Sequence, residues 1–308
     1  MTVFLIREDL RKAFCNLIKG EVLFDESMRN HTSFRIGGPA EVLVAPKDEL
    51  DLKESLRFCG RIGVRPIVIG NGTKLLVSDE GIPGIVVKIS GCLDSVFVSG
   101  TDVRVGAGRL LTNLSRSVSD QGLSGLEFAV GIPGTVGGGV VMNAGAHGSM
   151  MSDVVTNLTV MDLEGNINKR TRNELSFGYR HSGLQDGPGI IVTVEICLKK
   201  GDAEITRERM REYVRWRSEN QPQGFPTAGS TFKNPADISA GKLIDMAGLK
   251  GLRIGNAKIS EKHANFIINL GNARASDVLL LMRRTQEEVQ KKFGVNLQPE
   301  IRVLGRLD

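Results

Sequence analysis

Aromatic side chains are scarce in this chain: they make up 5% of 308 residues, with one Trp and two Tyr. Proteins that hold single-stranded nucleic acid stack its bases on aromatic rings, and few rings are present to do so. Cysteine is thin as well. Cys15, Cys59, Cys92 and Cys197 form no CxxC and no metal-type spacing, so they read as reduced, mostly buried thiols. The histidines, His31, His147, His181 and His263, make neither HxxxH nor HExxH, which argues against a metal site. No apolar run approaches the roughly 18 residues of a membrane span. The opening MTVFLIREDLRKAF meets acid and base too early for a signal-peptide core. A cytoplasmic protein without membrane insertion is expected, with a monomer favoured. Charge of one sign is lacking too. The formal net charge is +5, but 40 Lys and Arg are scattered among 35 Asp and Glu. Such a field serves phosphorylated or carboxylated small molecules better than it serves nucleic acid.

Glycine is what the chain has in abundance, 37 of 308 residues, against a usual share of about 7%. It concentrates in 126–148, LEFAVGIPGTVGGGVVMNAGAHG, a segment with one proline and one carboxylate. Glycine costs backbone entropy, so this density needs a reason: turns through φ > 0, or a backbone lying flat against something. The segment is too apolar for a linker. It reads either as backbone in contact with a large cofactor, amides turned toward phosphate or ring edges, or as a buried glycine-rich crossover.

A chain of this length exceeds one core, and two or three domains are expected. Periodicity predicts a helix over 9–19, then a β–α–β order from a strand at 40–45, a helix at 48–60 and a strand at 64–69. The last of these empties into Gly70-Asn71-Gly72-Thr73-Lys74-Leu75. That loop suits a diphosphate or an ordinary tight turn, and matches neither GxGxxG nor the P-loop. A strand at 102–105 and a helix at 111–121 follow, then strands at 154–162, 166–169 and 190–198. Arg180 sits in a short glycine-flanked segment, where a solvated loop residue is the ordinary case. After a charged helix at 203–218 and the breaker QPQGFPT, Ser230 reads as an N-cap or turn serine. A short helix is expected at 240–247 and a strand around Ser260–His263. Ser276 is placed as the cap of a helix running to Phe293 and stopped by Gly294. In the last strand Val295, Leu297, Ile301 and Val303 share one face, so Glu300 faces water or a cleft.

Taken together these segments resemble the UDP-N-acetylenolpyruvoylglucosamine reductase family, flavoenzymes of early peptidoglycan synthesis. HTSFRIGGPA (31–40), GNGTKLLV (70–77), GIPGTVGGGVVMNAGAHG (131–148), YRHS (179–182), AGSTFKNP (228–235), GKLIDMAGLKG (241–251), ISEKHANFIIN (259–269) and QPEIR (298–302) stand in the family's order. The chain is similar to the shorter subclass, which lacks a tyrosine-bearing substrate loop. The resemblance implies an α+β fold: a two-lobed FAD-binding domain of the p-cresol methylhydroxylase type plus a smaller α+β substrate domain. The implied domains are a lead-in at 1–30, FAD-binding lobes at 31–90 and 91–201, and a substrate-binding domain at 202–308 whose extreme C-terminus packs back on the FAD domain.

It also implies chemistry. NADPH reduces noncovalent FAD, which passes hydride to the vinyl carbon of UDP-GlcNAc-enolpyruvate to give UDP-N-acetylmuramate. In the catalytic trio so implied, Arg180 stabilises charge on the enolpyruvyl carboxylate, Glu300 polarises the enol form and Ser230 donates the proton. The implied FAD contacts are Gly70, Asn71, Gly72, Thr73, Lys74, Leu75, Gly131, Ile132, Pro133, Gly134, Gly137, Gly138, Asn143 and Gly145. Lys233, Asn234, His263 and Asn265 are the implied substrate contacts, with no metal ligand. Gly139 and His147 depart from the Ala and Tyr of many relatives, and Thr73-Lys74 from the commoner Ser-Asn. Three other readings remain open on the residues alone: an oxidase of the same flavin fold, a nucleotide-sugar-binding protein without redox activity, and a nucleic-acid binder.

Overall fold

The computed structural model describes residues 8–185, 187 and 189–306, so residues 1–7 of the charged N-terminal stretch and 307–308 of the C-terminus lie outside the described residues. The chain divides into two compact units. One comprises Met1–Phe24, Val42–Asn71 and Gly84–Trp216, and the other Asp25–Glu41, Gly72–Pro83 and Arg217–Asp308.

The first unit contains helices α1 (Glu8–Leu17), α2 (Glu49–Arg61), α3 (Leu111–Asp120) and α4 (Val136–Val141), and α5 (Ala203–Asn220) begins in it. Strands Ile67–Ile69 and Ile82–Lys88 pair in parallel, with Val68 opposite Val87. A five-stranded antiparallel sheet runs in the order Ile167–Thr171, Val155–Met161, Ile190–Cys197, Asp102–Gly106, Val96–Ser99. Its central strand, Ile190–Cys197, pairs on both sides and is almost continuously apolar, as burial on two faces demands. Val103, Val105, Leu158 and Val194 join Leu111, Leu114 and Val118 of α3 and Leu52 and Leu56 of α2 in one core.

Two carboxylates fix the start of α2. Asp48 caps α2 by accepting the Asp51 N–H at 2.9 Å. Asp51 itself is buried and accepts three more backbone N–H groups, from Lys19 (2.9 Å), Gly20 (2.8 Å) and Lys47 (2.8 Å).

The second unit is built on α6 (Ala240–Met246), α7 (Ala275–Phe293) and an antiparallel sheet of Arg253–Ile254, Ala257–Ile259 and Ile267–Asn269. Strands Leu75–Val77 and Arg302–Leu304 pair in parallel. Phe34, Ile36, Phe232, Leu243, Val278, Leu281, Val289 and Leu297 make its core. Gly294 ends α7 in the left-handed conformation (φ 70°), and its N–H donates to Gln290 O at 2.9 Å.

Four local expectations are corrected. Ser260–His263 is a turn between two strands: the Ser260 hydroxyl oxygen accepts the N–H groups of Lys262 (3.2 Å) and His263 (3.4 Å), which competes with strand pairing. Ser276 lies inside α7, whose N-cap is Arg274. The first-turn N–H groups of Ala275 and Ser276, and the Ser276 hydroxyl, donate to Asp79, nearly two hundred residues away in sequence. The last strand is confined to Arg302–Leu304; upstream of it, Pro299 meets Phe232 only in an isolated bridge. The cysteines are not mostly buried: Cys59 is buried and Cys92 half-buried, while Cys15 and Cys197 are exposed. Burial pushes the Cys59 and Cys92 thiols up to about 12, so neither serves as a thiolate at neutral pH.

Replacing Asp51 by Ala is expected to cost about 2–4 kcal/mol, because several amide donors lose their acceptor at once. Urea unfolding of the variant checks this; a loss below about 1 kcal/mol would mean that water replaces the carboxylate.

Candidate active site

In the second unit, three residues distant in sequence meet. Ser230 is held in an isolated antiparallel bridge with Phe266, not at a helix start; Ser239 caps α6 instead. Thr231 donates its N–H to Asn265 O at 2.8 Å and accepts the Glu300 N–H on its carbonyl at 2.8 Å. Lys233 N–H donates to Gln298 O at 2.8 Å, and Phe232 bridges to Pro299. This lattice sets Ser230 and Glu300 side by side across adjoining segments. Glu300 does not face water. It is buried, and its Oε1 accepts from Lys74 Nζ at 2.7 Å. The same ammonium donates to the Ser230 carbonyl at 3.0 Å. Gly229, at φ 74°, precedes the serine; a Cβ there would lie 3.4 Å from Lys74 Nζ.

The expected substrate contacts fall around this cluster. Asn265 is buried and spans the Phe232 backbone, donating Nδ2 to its carbonyl (2.8 Å) and accepting its N–H on Oδ1 (2.9 Å). Asn234 is exposed and accepts the Ala240 N–H at 3.0 Å. Lys233 is half-buried. His263 stands edge-on to Phe266, with centroids 4.8 Å apart, and its Nδ1 accepts the Asn265 N–H at 3.3 Å. That hydrogen bond puts the neutral ring's proton on Nε2. Burial lowers the His263 pKa, and the positive charge of Lys250 lowers it further.

In the first unit, Arg180 is half-buried at φ 52°. Its Nη2 donates to Gly145 O at 2.9 Å, and its guanidinium lies 5.1 Å from the Tyr179 ring centroid. A left-handed arginine is strained, and its neighbours hold it in place. Gly178 bridges to His181, Asn143 Nδ2 donates to Gly178 O (2.9 Å), and Ser182 Oγ donates to Val141 O (2.8 Å). Asn143 is itself buried at φ 41°, with Oδ1 accepting the Ser152 N–H at 2.9 Å. The arginine motif is thus bolted to the C-terminal half of the glycine-rich block. His147, at φ 53°, stacks on Tyr213 with centroids 3.8 Å apart and meets Trp216 edge-on at 5.3 Å. Nothing in the local sequence pointed to that pairing.

The glycines of the block divide by purpose. Gly137 donates its N–H to Ala107 O (2.9 Å), and a Cβ there would lie 2.9 Å from the Ala107 Cβ. A Cβ on Gly139 would lie 2.6 Å from Leu111 Cδ1. These two let α4 pack. Gly138 is exposed, and Thr135 Oγ1, which accepts its N–H at 3.2 Å, is its nearest neighbour. The 70–71 turn joins the same place: Asn71 Nδ2 donates to Pro133 O at 2.8 Å, and a Cβ on Gly70 would fall 2.4 Å from Thr135 Oγ1. Two glycine loops therefore meet, leaving bare backbone at Gly138. That bareness fits a large flat or diphosphate-bearing cofactor such as FAD.

Comparison with known proteins defines the class first: residues 40–169 match the FAD binding domain family, which makes this an FAD-type flavoprotein of α+β fold. Residues 221–304 match the family described as UDP-N-acetylenolpyruvoylglucosamine reductase, C-terminal domain. UDP-N-acetylenolpyruvoylglucosamine reductase of Halalkalibacterium halodurans is 43% identical over 298 residues, 97% of this chain and 99% of its own length. The protein of that name from Caldanaerobacter subterraneus subsp. tengcongensis is 46% identical over 289 residues, 94% of this chain and 95% of its own. The crystal structure of UDP-N-acetylenolpyruvylglucosamine reductase from Thermus caldophilus superimposes with a TM-score of 0.80 at 40% identity, covering 94% of this chain and 100% of that one. The chain belongs to the UDP-N-acetylenolpyruvoylglucosamine reductase family, as its ordered motifs led one to expect.

A group whose folded pKa lies below its unfolded value binds fewer protons in the folded state, so stability falls as pH drops through the unfolded value, near 6.5 for histidine, toward the folded one. Wild-type protein is accordingly expected to lose stability between neutral pH and the acid side of that window. His263→Gln is expected to flatten that part of the profile, measured by urea unfolding at a series of pH values; an unchanged profile would show that His263 titrates normally.

Proposed function

We propose that this chain is an NADPH-dependent UDP-N-acetylenolpyruvoylglucosamine reductase, converting UDP-GlcNAc-enolpyruvate to UDP-N-acetylmuramate in the cytoplasm. The observation that carries the proposal is the continuous match to relatives of that name, spanning 97% of this chain and 99% of the relative's. Peptidoglycan precursor synthesis, and through it cell shape and division, is the process served. Bound FAD supplies the two-electron redox chemistry, with NADPH as the source of reducing equivalents.

The division of labour follows the motifs: lobes at 31–90 and 91–201 hold FAD, and 202–308 hold the UDP-sugar. In the first unit, Gly70, Asn71, Gly131, Ile132, Pro133, Gly134, Gly137 and Gly138 lie on or beside the two loops that meet at Pro133, with Asn143 and Gly145 anchoring the arginine motif. Gly72 and Thr73 continue the first loop, and Leu75 opens the strand that follows it. Arg180 binds the enolpyruvyl carboxylate with a planar fork, opposing the negative charge that builds there as the double bond is reduced. Glu300 accepts a hydrogen bond from the enol form of that carboxyl. The carbon beside the carboxyl then needs one proton, and Ser230 Oγ delivers it, to be reprotonated from solvent. Lys233, Asn234, His263 and Asn265 hold the substrate or the strand that carries Ser230.

Purified protein is expected to carry flavin absorbance; protein that lacks it and cannot take up added FAD sinks the proposal. In Ser230→Ala, flavin reduction by NADPH should survive while reoxidation by the enolpyruvyl substrate slows by about 10²–10⁴-fold, the usual worth of a positioned proton donor. Equal slowing of both half-reactions in rapid-mixing experiments would contradict the assigned role of Ser230.

A further inference from the structure

We infer that Lys74, which the family resemblance assigns to FAD, is instead a positioning residue for the proton chemistry of Glu300 and Ser230. The inference rests on the reductase reading given above. Its starting point is where the ammonium goes. Lys74 Nζ lies 2.7 Å from Glu300 Oε1 and 3.0 Å from the Ser230 carbonyl oxygen, so two of its three donors are spent within the second unit. The backbone of Lys74 is committed to the same place, since its carbonyl accepts the Arg302 N–H at 2.8 Å and the strand it opens pairs with Arg302–Leu304. Lysine thus reaches the acid through its side chain and the segment behind the acid through its main chain.

Glu300 needs such a partner. Its side chain is 6% exposed, and a carboxylate so far from water is costly without a cation. The Lys74 side chain is 27% exposed, so the pair stands at the edge of the buried region rather than within it. The charge-assisted bond fixes which way the carboxylate turns. The hydrogen bond to the Ser230 carbonyl fixes the peptide that carries the proton donor. One side chain therefore sets the spacing of the two groups that handle the proton. Gly229 adjoins the same cluster and supplies the left-handed turn (φ 74°) that leads into Ser230.

The experiment uses the full-length flavoenzyme with Lys74→Met, Lys74→Arg, Glu300→Gln and the Lys74→Met/Glu300→Gln double variant. Flavin content, the rate of flavin reduction by NADPH and the rate of reoxidation by the enolpyruvyl substrate are measured separately. Lys74→Met is expected to retain FAD and its reduction by NADPH while reoxidation slows by about 10- to 100-fold, the scale of a misplaced catalytic group. Lys74→Arg, which keeps the cation, is expected to recover part of that loss. The double variant should be slower than Glu300→Gln alone by less than the factor Lys74→Met costs in the wild type, because Lys74 acts in part through Glu300. Loss of FAD with both half-reactions in Lys74→Met and Lys74→Arg would return the lysine to FAD and overturn the inference, leaving the reductase reading intact. Fully additive slowing in the double variant would overturn it as well. Should Lys74→Met fail to fold, Lys74→Arg against Glu300→Gln carries the same comparison. Wild-type protein without flavin or NADPH oxidation would instead remove the reductase reading.

Discussion

The candidate active site of the second unit hangs on the two hydrogen bonds of a single peptide residue. Thr231 donates to Asn265 O and accepts from Glu300 N–H, both at 2.8 Å. Residues 231, 265 and 300 come from three separate segments, and no regular sheet joins them. Asn265 reinforces the weave by clasping the Phe232 backbone with both ends of its amide, and Lys74 closes it through Glu300 and the Ser230 carbonyl. Each bond is worth only about 0.5–1.5 kcal/mol net, but breaking one inside a buried weave strands its partner, which costs more. Ser230, Glu300 and Lys74 are thereby held close together by backbone and side-chain bonds.

Much of this was legible in the sequence wherever a signal was local. The strands at Asp102–Gly106 and Ile190–Cys197, the helices α2, α3, α5 and α7, and the Gly294 terminator follow from periodicity and end signals. What the sequence hid was non-local. Asp79 caps α7 from far along the chain, so Ser276 looked like the cap merely because it had the right chemistry nearby. Alternation in 295–303 left Glu300 facing water or a cleft, because the partners that bury it, Lys74 and the Thr231 carbonyl, lie outside that segment. Ser230 looked like a turn residue because the bridge that fixes it comes from Phe266. Family resemblance named Ser230 and Glu300 where spacing undervalued them. The resemblance did not supply the Lys74 contact, since Thr73-Lys74 is where this chain leaves the family's common pattern.

The glycine-rich block shows how one composition serves several ends. Gly137 and Gly139 are small so that α4 packs against Ala107 and Leu111, which the crossover reading anticipates. Gly138 is bare toward solvent, and the 70–71 turn meets the block at Pro133 and Thr135, which the cofactor reading anticipates. Beyond them, Asn143 and Gly145 anchor the loop of Arg180. A single stretch thus holds both a bare, exposed glycine turn and the support of the Arg180 side chain, so its glycines do not all serve one purpose.

The central claim is that one chain carries reducing equivalents from NADPH through FAD to an enolpyruvyl UDP-sugar. An anaerobic titration of the purified flavoenzyme tests it most directly. Stoichiometric NADPH should bleach the flavin, and stoichiometric UDP-GlcNAc-enolpyruvate, added without oxygen, should restore its absorbance with formation of UDP-N-acetylmuramate. Flavin that stays bleached until oxygen is admitted would contradict the account.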